Sequence, residues 1–224
     1  MSLPRPVAGV VFDMDGLLVD SESLIRDIML RTAPAFGAEL PLEVFLSMVG
    51  RPSVDSDAIA RAHFGADFPL EAYFGEVQRH FNAASEAGIA LKGGVVELLD
   101  HLEAVRIPHA IATSSSHASV QRTLGPSGLL PRFQAVVAAG DYSRGKPNPD
   151  PFLTAADRLG VAPALCLALE DSHNGVRAAH AAGMMTVMVP DLLEATDEMR
   201  SLAVAIANSL HHVLDLLRPS EAGT

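Results

Sequence analysis

One stretch, VAGVVFDMDGLLVDSE at residues 7–22, sets the terms for the rest of the chain. Its apolar run, residues 7–12, is rich in valine, carries no charge and is interrupted only by Gly9. Such a run predicts a strand buried on both faces of a parallel sheet. Asp13 and Asp15 follow it. In extended backbone that spacing puts both carboxylates on one side and Met14 on the other, and Gly16 permits a turn. Neighbouring carboxylates repel each other unless a cation or a shared proton intervenes. The pair therefore reads in one of two ways. It is a divalent-metal site with catalytic carboxylates, at the strand end where open α/β sheets hold ligands, or it is a polar strand end running into a helix N-cap.

Length and charge narrow the choice of partners. The 224 residues suffice for one large domain or a domain with a small insert. No apolar stretch is long enough to span a bilayer, and the prolines flanking Arg5 and the acids that follow argue against a signal peptide. Cys166 is the only cysteine, which excludes an internal disulfide and points to the cytoplasm. The formal charge of −11 disfavours nucleic acid and anionic membranes as partners. An anionic substrate would need a local basic group, and the chain has only two lysines, Lys92 and Lys146.

Asp20 or Ser21 is suited to cap a helix. Leu24, Ile25, Ile28, Met29 and Ala33 recur at helical spacing up to Gly37. Further helices are expected after Pro41, over residues 53–63, and after Pro69 to near Gly88. From residue 91 the texture changes to alternating apolar strands and amphipathic helices, with strands expected at 107–112, 135–138, 165–169, 186–189 and 204–207. The alternation predicts an α/β fold, a doubly wound parallel sheet. Residues 18–87 are then a helical bundle inserted after the first strand, and residues 1–17 and 88–224 form the core. Hinges near 16–20 and 88–92 would let the insert act as a lid.

Each inner strand ends in groups able to handle phosphate: Asp13 and Asp15, then Thr113 and Ser114, then Lys146 in GKPNPDP, then Glu170 and Asp171. Parallel strands bring these ends to one edge. Taken singly, Thr113 to Ser116 could be a helix cap, Lys146 a solvated loop residue, and Glu170-Asp171 another cap. Together they suit phosphoryl transfer. A hard cation takes carboxylate oxygens, donors clamp the phosphoryl oxygens, and a carboxylate can attack phosphorus.

With DMDGLLVDSE at 13–22, IATSSS at 111–116, GKPNPDPF at 145–152 and LEDSHNGVRAAHAAGM at 169–184, the chain resembles the haloacid dehalogenase (HAD) superfamily. It resembles in particular the branch with a helical cap after the first motif, which contains β-phosphoglucomutase and many sugar-phosphate phosphatases. The resemblance implies a Mg²⁺-dependent phosphatase acting on a small phosphorylated metabolite. It implies Asp13 as nucleophile and Asp15 as general acid and base. Thr113 and Lys146 would hold the phosphoryl group, with Ser114 adding a contact. Asp13, Asp171 and the Asp15 carbonyl would bind Mg²⁺, with Glu170 acting directly or through water and Asn174 orienting that shell. Asp15 sets the chain apart from the dehalogenases, which lack this second acid.

Arg51, at an interhelical turn of the insert, is a candidate for a second substrate contact or a plain surface arginine. Lys92, His117 and His173 are expected to be solvated or structural. Mutases of the branch carry a histidine where this chain has Ile25, which favours hydrolysis over the alternative of a phosphomutase. The stretch Met188-Val189-Pro190-Asp191 is similar to that of pseudouridine-5′-phosphatases. A phospho-accepting signalling module is a third alternative, disfavoured by the helical insert and by Asp15. A lidded single-site enzyme is expected to be a monomer.

Overall fold

The computed structural model describes residues 3–49 and 53–218. Among the described residues, six strands form one parallel sheet: β1 (Gly9–Phe12), β2 (His109–Ser116), β3 (Ala135–Ala139), β4 (Cys166–Glu170), β5 (Met185–Met188) and β6 (Ala205–Ile206), in the order β3-β2-β1-β4-β5-β6. The order reverses direction between β1 and β4, the point at which open α/β sheets form a crevice at their carboxyl ends. Every residue of β1 is buried, as its uncharged run predicts.

The side-chain alternation of the strands sorts the helices onto two faces. Val10, Phe12, Ile111 and Leu167 pack against α5 (Val95–Ala104), α6 (His117–Leu124) and α10 (Leu210–Leu217). Val11, Ala110, Ala112 and Ala168 pack against α7 (Asp150–Leu159) and α8 (His173–Ala181). The second face is lined mostly by alanine, which lets α7 and α8 approach closely. A short helix, α9 (Asp197–Leu202), which was not expected from the sequence, places Met199 against Val176 and Met188.

The insert consists of α1 (Ser21–Thr32), α2 (Leu42–Met48), α3 (Ser53–Phe64) and α4 (Leu70–Ala87). It has its own apolar core. Tyr73 is fully buried at its centre, donates from its hydroxyl to the Met29 carbonyl at 2.9 Å, and meets the rings of Phe36, Phe64 and Phe68.

The two strands of chain that join insert to sheet are paired with each other. Val19 and Leu91 form an antiparallel bridge, Asp20 N–H donates to Ala90, and Lys92 N–H donates to Leu18. Two expectations are corrected here. Asp20 precedes α1 but makes no side-chain cap bond. Its carboxylate faces Lys92 Nζ at 3.5 Å, and Lys92, only partly exposed, is ion-paired and donates to Asp191 at 2.7 Å. An ammonium offers the carboxylate a charged partner, which outweighs a neutral backbone N–H.

Candidate active site

Backbone register builds the site. Phe12 pairs with Ile111 on one side and Leu169 on the other. Asp13 N–H donates to the Leu169 carbonyl at 3.0 Å, so the Asp13 side chain emerges beside Glu170. Asp13, Glu170 and Asp171 are all buried and each offers a carboxylate oxygen within 4.8 Å of the others. Lys146, in the loop before α7, donates from Nζ to both Asp13 Oδ1 and Glu170 Oε1. Its Nζ lies 5.1 Å from the centre of the Phe152 ring, a cation–π contact that helps hold the ammonium in place.

Two glycines make room for the carboxylates. Gly16 has φ +78°, and a Cβ there would stand 2.2 Å from Asp171 Oδ2. A Cβ on Gly175 would fall 1.9 Å from the Glu170 carboxylate. Ser172 N–H and Oγ donate to Glu170 Oε2, and Ser172 Oγ in turn accepts from Gly175 N–H to cap α8. The carboxylate thus reads the helix start as a ready-made set of donors.

β2 runs further than expected. It continues through the Thr113–Ser116 stretch, with a register shift between Ala112 and Ser116 against β3. The pleat turns Thr113 inward and Ser114 outward: Thr113 is buried and Ser114 exposed. Ser115, which the sequence did not single out, turns back and donates to Asp15 Oδ2 at 2.8 Å. Ser115 N–H occupies a lone pair of Thr113 Oγ1 at 3.0 Å, leaving the threonine proton free to be donated. Tyr142 OH holds the Thr113 carbonyl at 3.0 Å.

The electrostatics show what the cluster lacks. Burial pushes Asp13 up to about 8, aided by the charges of Glu170 and Asp15 and opposed by Lys146. Burial, then Asp13 and Glu170, hold Asp171 well above the usual carboxylate range. Burial also raises Asp15, against the pull of the Ser115 hydrogen bond. Burial alone would lower Lys146, but Asp13 and Glu170 keep it above its ordinary value. One ammonium does not balance Asp13, Glu170 and Asp171. Oxygen-only ligands at this spacing, with no Cβ to crowd them, fit a hard divalent cation.

Other expected residues are placed as follows. Asn174 Oδ1 accepts from Arg177 at 3.0 Å in the first turns of α8. His117 Nε2 pairs with Asp141 at 2.9 Å and His173 Nε2 with the Glu194 carbonyl at 2.9 Å, as structural roles predict. Arg51 lies outside the described residues.

The comparisons with known proteins agree with this geometry. The model for haloacid dehalogenase-like hydrolases matches residues 7–183. The chain belongs to that family, and within it to the branch that includes the β-phosphoglucomutases; it is a phosphoric monoester hydrolase. It is 37% identical over 196 residues to a probable pseudouridine-5′-phosphatase of Drosophila melanogaster, covering 84% of this chain and 83% of that one. It is 35% identical over 184 residues to hexitol phosphatase A of Escherichia coli, covering 81% and 82%. It is also 30% identical to the bifunctional riboflavin kinase/FMN phosphatase of Arabidopsis thaliana, of which it spans 55%. Among solved structures, a putative β-phosphoglucomutase of Thermotoga maritima superposes with a TM-score of 0.79 at 28% identity, covering 94% of this chain and 98% of that one.

Proposed function

We propose that the protein hydrolyses the phosphate monoester of a small polyhydroxylated metabolite, a sugar or polyol phosphate, through a phosphoryl group carried on Asp13. The observation that carries this reading is the buried Asp13, held between Lys146 and the Glu170–Asp171 pair at the sheet's switch point. In the first step an Asp13 oxygen attacks phosphorus and the bond from phosphorus to the leaving oxygen breaks. Asp15 gives that oxygen its proton. In the second step Asp15 takes a proton from water, the water oxygen attacks phosphorus, and the bond to Asp13 breaks. Inorganic phosphate leaves and both aspartates return to their starting forms. An Asp15 held above its usual range retains a proton to donate nearer neutral pH than a free carboxylate would.

Thr113 Oγ1 and Lys146 Nζ hold the phosphoryl oxygens. Asp13, Glu170 and Asp171, with the Asp15 carbonyl, would hold Mg²⁺. When bound, that ion supplies positive charge against the phosphoryl oxygens and offsets the carboxylate repulsion that otherwise opposes attack by Asp13. Residues 18–87 form the lid, and residues 1–17 with 88–224 the catalytic core. The phosphatase names of its relatives favour a small phosphorylated substrate. The charge of −11 and the single cysteine favour a cytoplasmic enzyme without nucleic-acid or membrane partners, and the self-contained site favours a monomer.

A phosphomutase is the second reading, favoured by the likeness to the putative β-phosphoglucomutase. Against it, Ile25 packs with the apolar core of the insert and offers no titratable group. Phosphate release from sugar and polyol phosphates with Mg²⁺, abolished by EDTA, tests the proposal. Conversion of β-glucose 1-phosphate to glucose 6-phosphate without release would favour the mutase.

A further inference from the structure

Asp191 lies in the loop that follows β5. Val189 N–H donates to the Glu170 carbonyl at 2.7 Å, so this loop leaves the sheet alongside the strand end that carries Glu170 and Asp171. The Asp191 side chain keeps only 10% of its surface exposed. Its two oxygens have different surroundings. Oδ1 accepts from Lys92 Nζ at 2.7 Å. Oδ2 is screened from solvent and, among the described residues, accepts no hydrogen bond. A buried carboxylate oxygen without a donor is costly, so its position calls for a partner.

Gly16 shows where that oxygen stands. A Cβ on Gly16 would meet Asp171 Oδ2 at 2.2 Å and Asp191 Oδ2 at 3.3 Å. Both oxygens thus flank one point beside the residue that follows Asp15, whose carbonyl would hold Mg²⁺. Asp191 is not one of the three carboxylates, Asp13, Glu170 and Asp171, whose oxygens lie within 4.8 Å of one another. It stands one layer out from them. A small hard cation keeps several of its waters when bound, and such waters are strong donors to a carboxylate. Acceptors in that outer layer orient the inner ligands and tighten the site.

We infer that Asp191 is a positioning residue for the cation. Its Oδ2 accepts a hydrogen bond from the hydration shell of a divalent ion held by Asp13 and Asp171, and Lys92 fixes the carboxylate for that contact by occupying Oδ1. The inference rests on the reading of the carboxylate cluster as a Mg²⁺ site. It also ties that site to the junction of insert and sheet, since Lys92 directly follows the Val19–Leu91 bridge and faces Asp20 at 3.5 Å.

The test titrates Mg²⁺ alone into the metal-free protein by calorimetry, for the unaltered chain, Asp191→Asn, Asp191→Ala and Lys92→Met, each first melted in EDTA to show that it is folded. Lys92 needs an acceptor, so in Asp191→Asn the amide oxygen turns to it and the amide NH₂ takes the place of Oδ2, presenting donors where an acceptor is required. The Kd for Mg²⁺ should rise roughly 10- to 100-fold in both Asp191 variants. Lys92→Met removes the ion pair but leaves the carboxylate, and should keep the Kd within about threefold, the scale of a part-exposed pair. Asp191→Asn, which keeps the shape and the Lys92 contact, decides the matter if Asp191→Ala does not fold. A Kd for Asp191→Asn within about threefold of the unaltered value, or an equal rise in Lys92→Met, would overturn the inference and leave the metal site standing; the second result would make Asp191 an anchor for Lys92 only. No Mg²⁺ uptake by the unaltered protein would overturn both.

Discussion

At the sheet edge, side chains are placed by backbone register; inside the insert, they are placed by one another. Asp13 stands beside Glu170 because β1 and β4 pair residue for residue, and Thr113 enters the same space because β2 pairs with β1. Inside the insert, Glu22, Met29, Phe45 and Phe74 share a cavity only because four helices pack around Tyr73. The first arrangement tolerates almost no change and carries chemistry common to a whole family. The second can be repacked without touching the reacting atoms.

The sharpest way to break this contrast is at Asp13. Asp13→Asn removes the nucleophile and should lower kcat on the order of 10³-fold or more. The melting temperature should be kept or raised, since burial opposes the Asp13 charge. Retained turnover in a folded variant would mean that register alone does not define the chemistry.

Gly175→Ala comes next. Its Cβ would overlap the Glu170 carboxylate, and neither the helix cap nor the strand can yield freely. We expect loss of most Mg²⁺-dependent activity and a stability cost of about 1–3 kcal/mol, read by denaturant unfolding and by Mg²⁺ titration. Gly37→Ala, where nothing lies within 4 Å but φ is +73°, should cost about 1 kcal/mol with activity kept.

In the insert, Tyr73→Phe removes one buried hydroxyl and leaves the Met29 carbonyl unpaired by it. A stability loss of about 1 kcal/mol is expected. The effect on kcat for p-nitrophenyl phosphate should be within twofold, because the sheet edge is untouched. A large loss of kcat would show that the insert's packing reaches the reacting groups.

The smallest effect concerns the outer side of the core. The Ala138 N–H, then the Arg158 guanidinium, with His117 adding to them, hold Asp141 down at about 2. A carboxyl lowered in the folded protein contributes stability above its ordinary value of 3.8, and that contribution is lost as pH falls toward about 2. The stability difference between the unaltered protein and Asp141→Asn should therefore be constant above pH 5 and shrink below 3.8. Turnover should not change at any pH where both are folded.

The same contrast explains what could be read from the chain beforehand. The strand ends were legible because a strand has one degree of freedom that matters, which face a residue takes, and an apolar run fixes it. Asp13, Asp15, Thr113, Lys146, Glu170 and Asp171 were each found at the end of such a run or in the loop that follows. Ser115 was missed because the register shift in β2 lets the strand run on where a helix cap seemed equally natural. Lys92 and Asp20 were misjudged for a different reason. Lys92 meets both Asp20 and Asp191, each distant from it in sequence, and no local pattern announces a pairing across the fold. Glu22 sits in the first turn of α1, a place that suits an acid on local grounds alone, but its cavity is made by residues from α1, α2, α3 and α4.

The most direct measurement is acid quenching of the Mg²⁺-loaded enzyme during turnover of a sugar phosphate, followed by mass spectrometry of the peptide that carries Asp13. A phosphoryl group on Asp13, labile to hydroxylamine and absent from Asp13→Asn, is the predicted result. Steady phosphate release with that peptide never modified at any quench time, and with Asp13→Asn still turning over, would contradict the account.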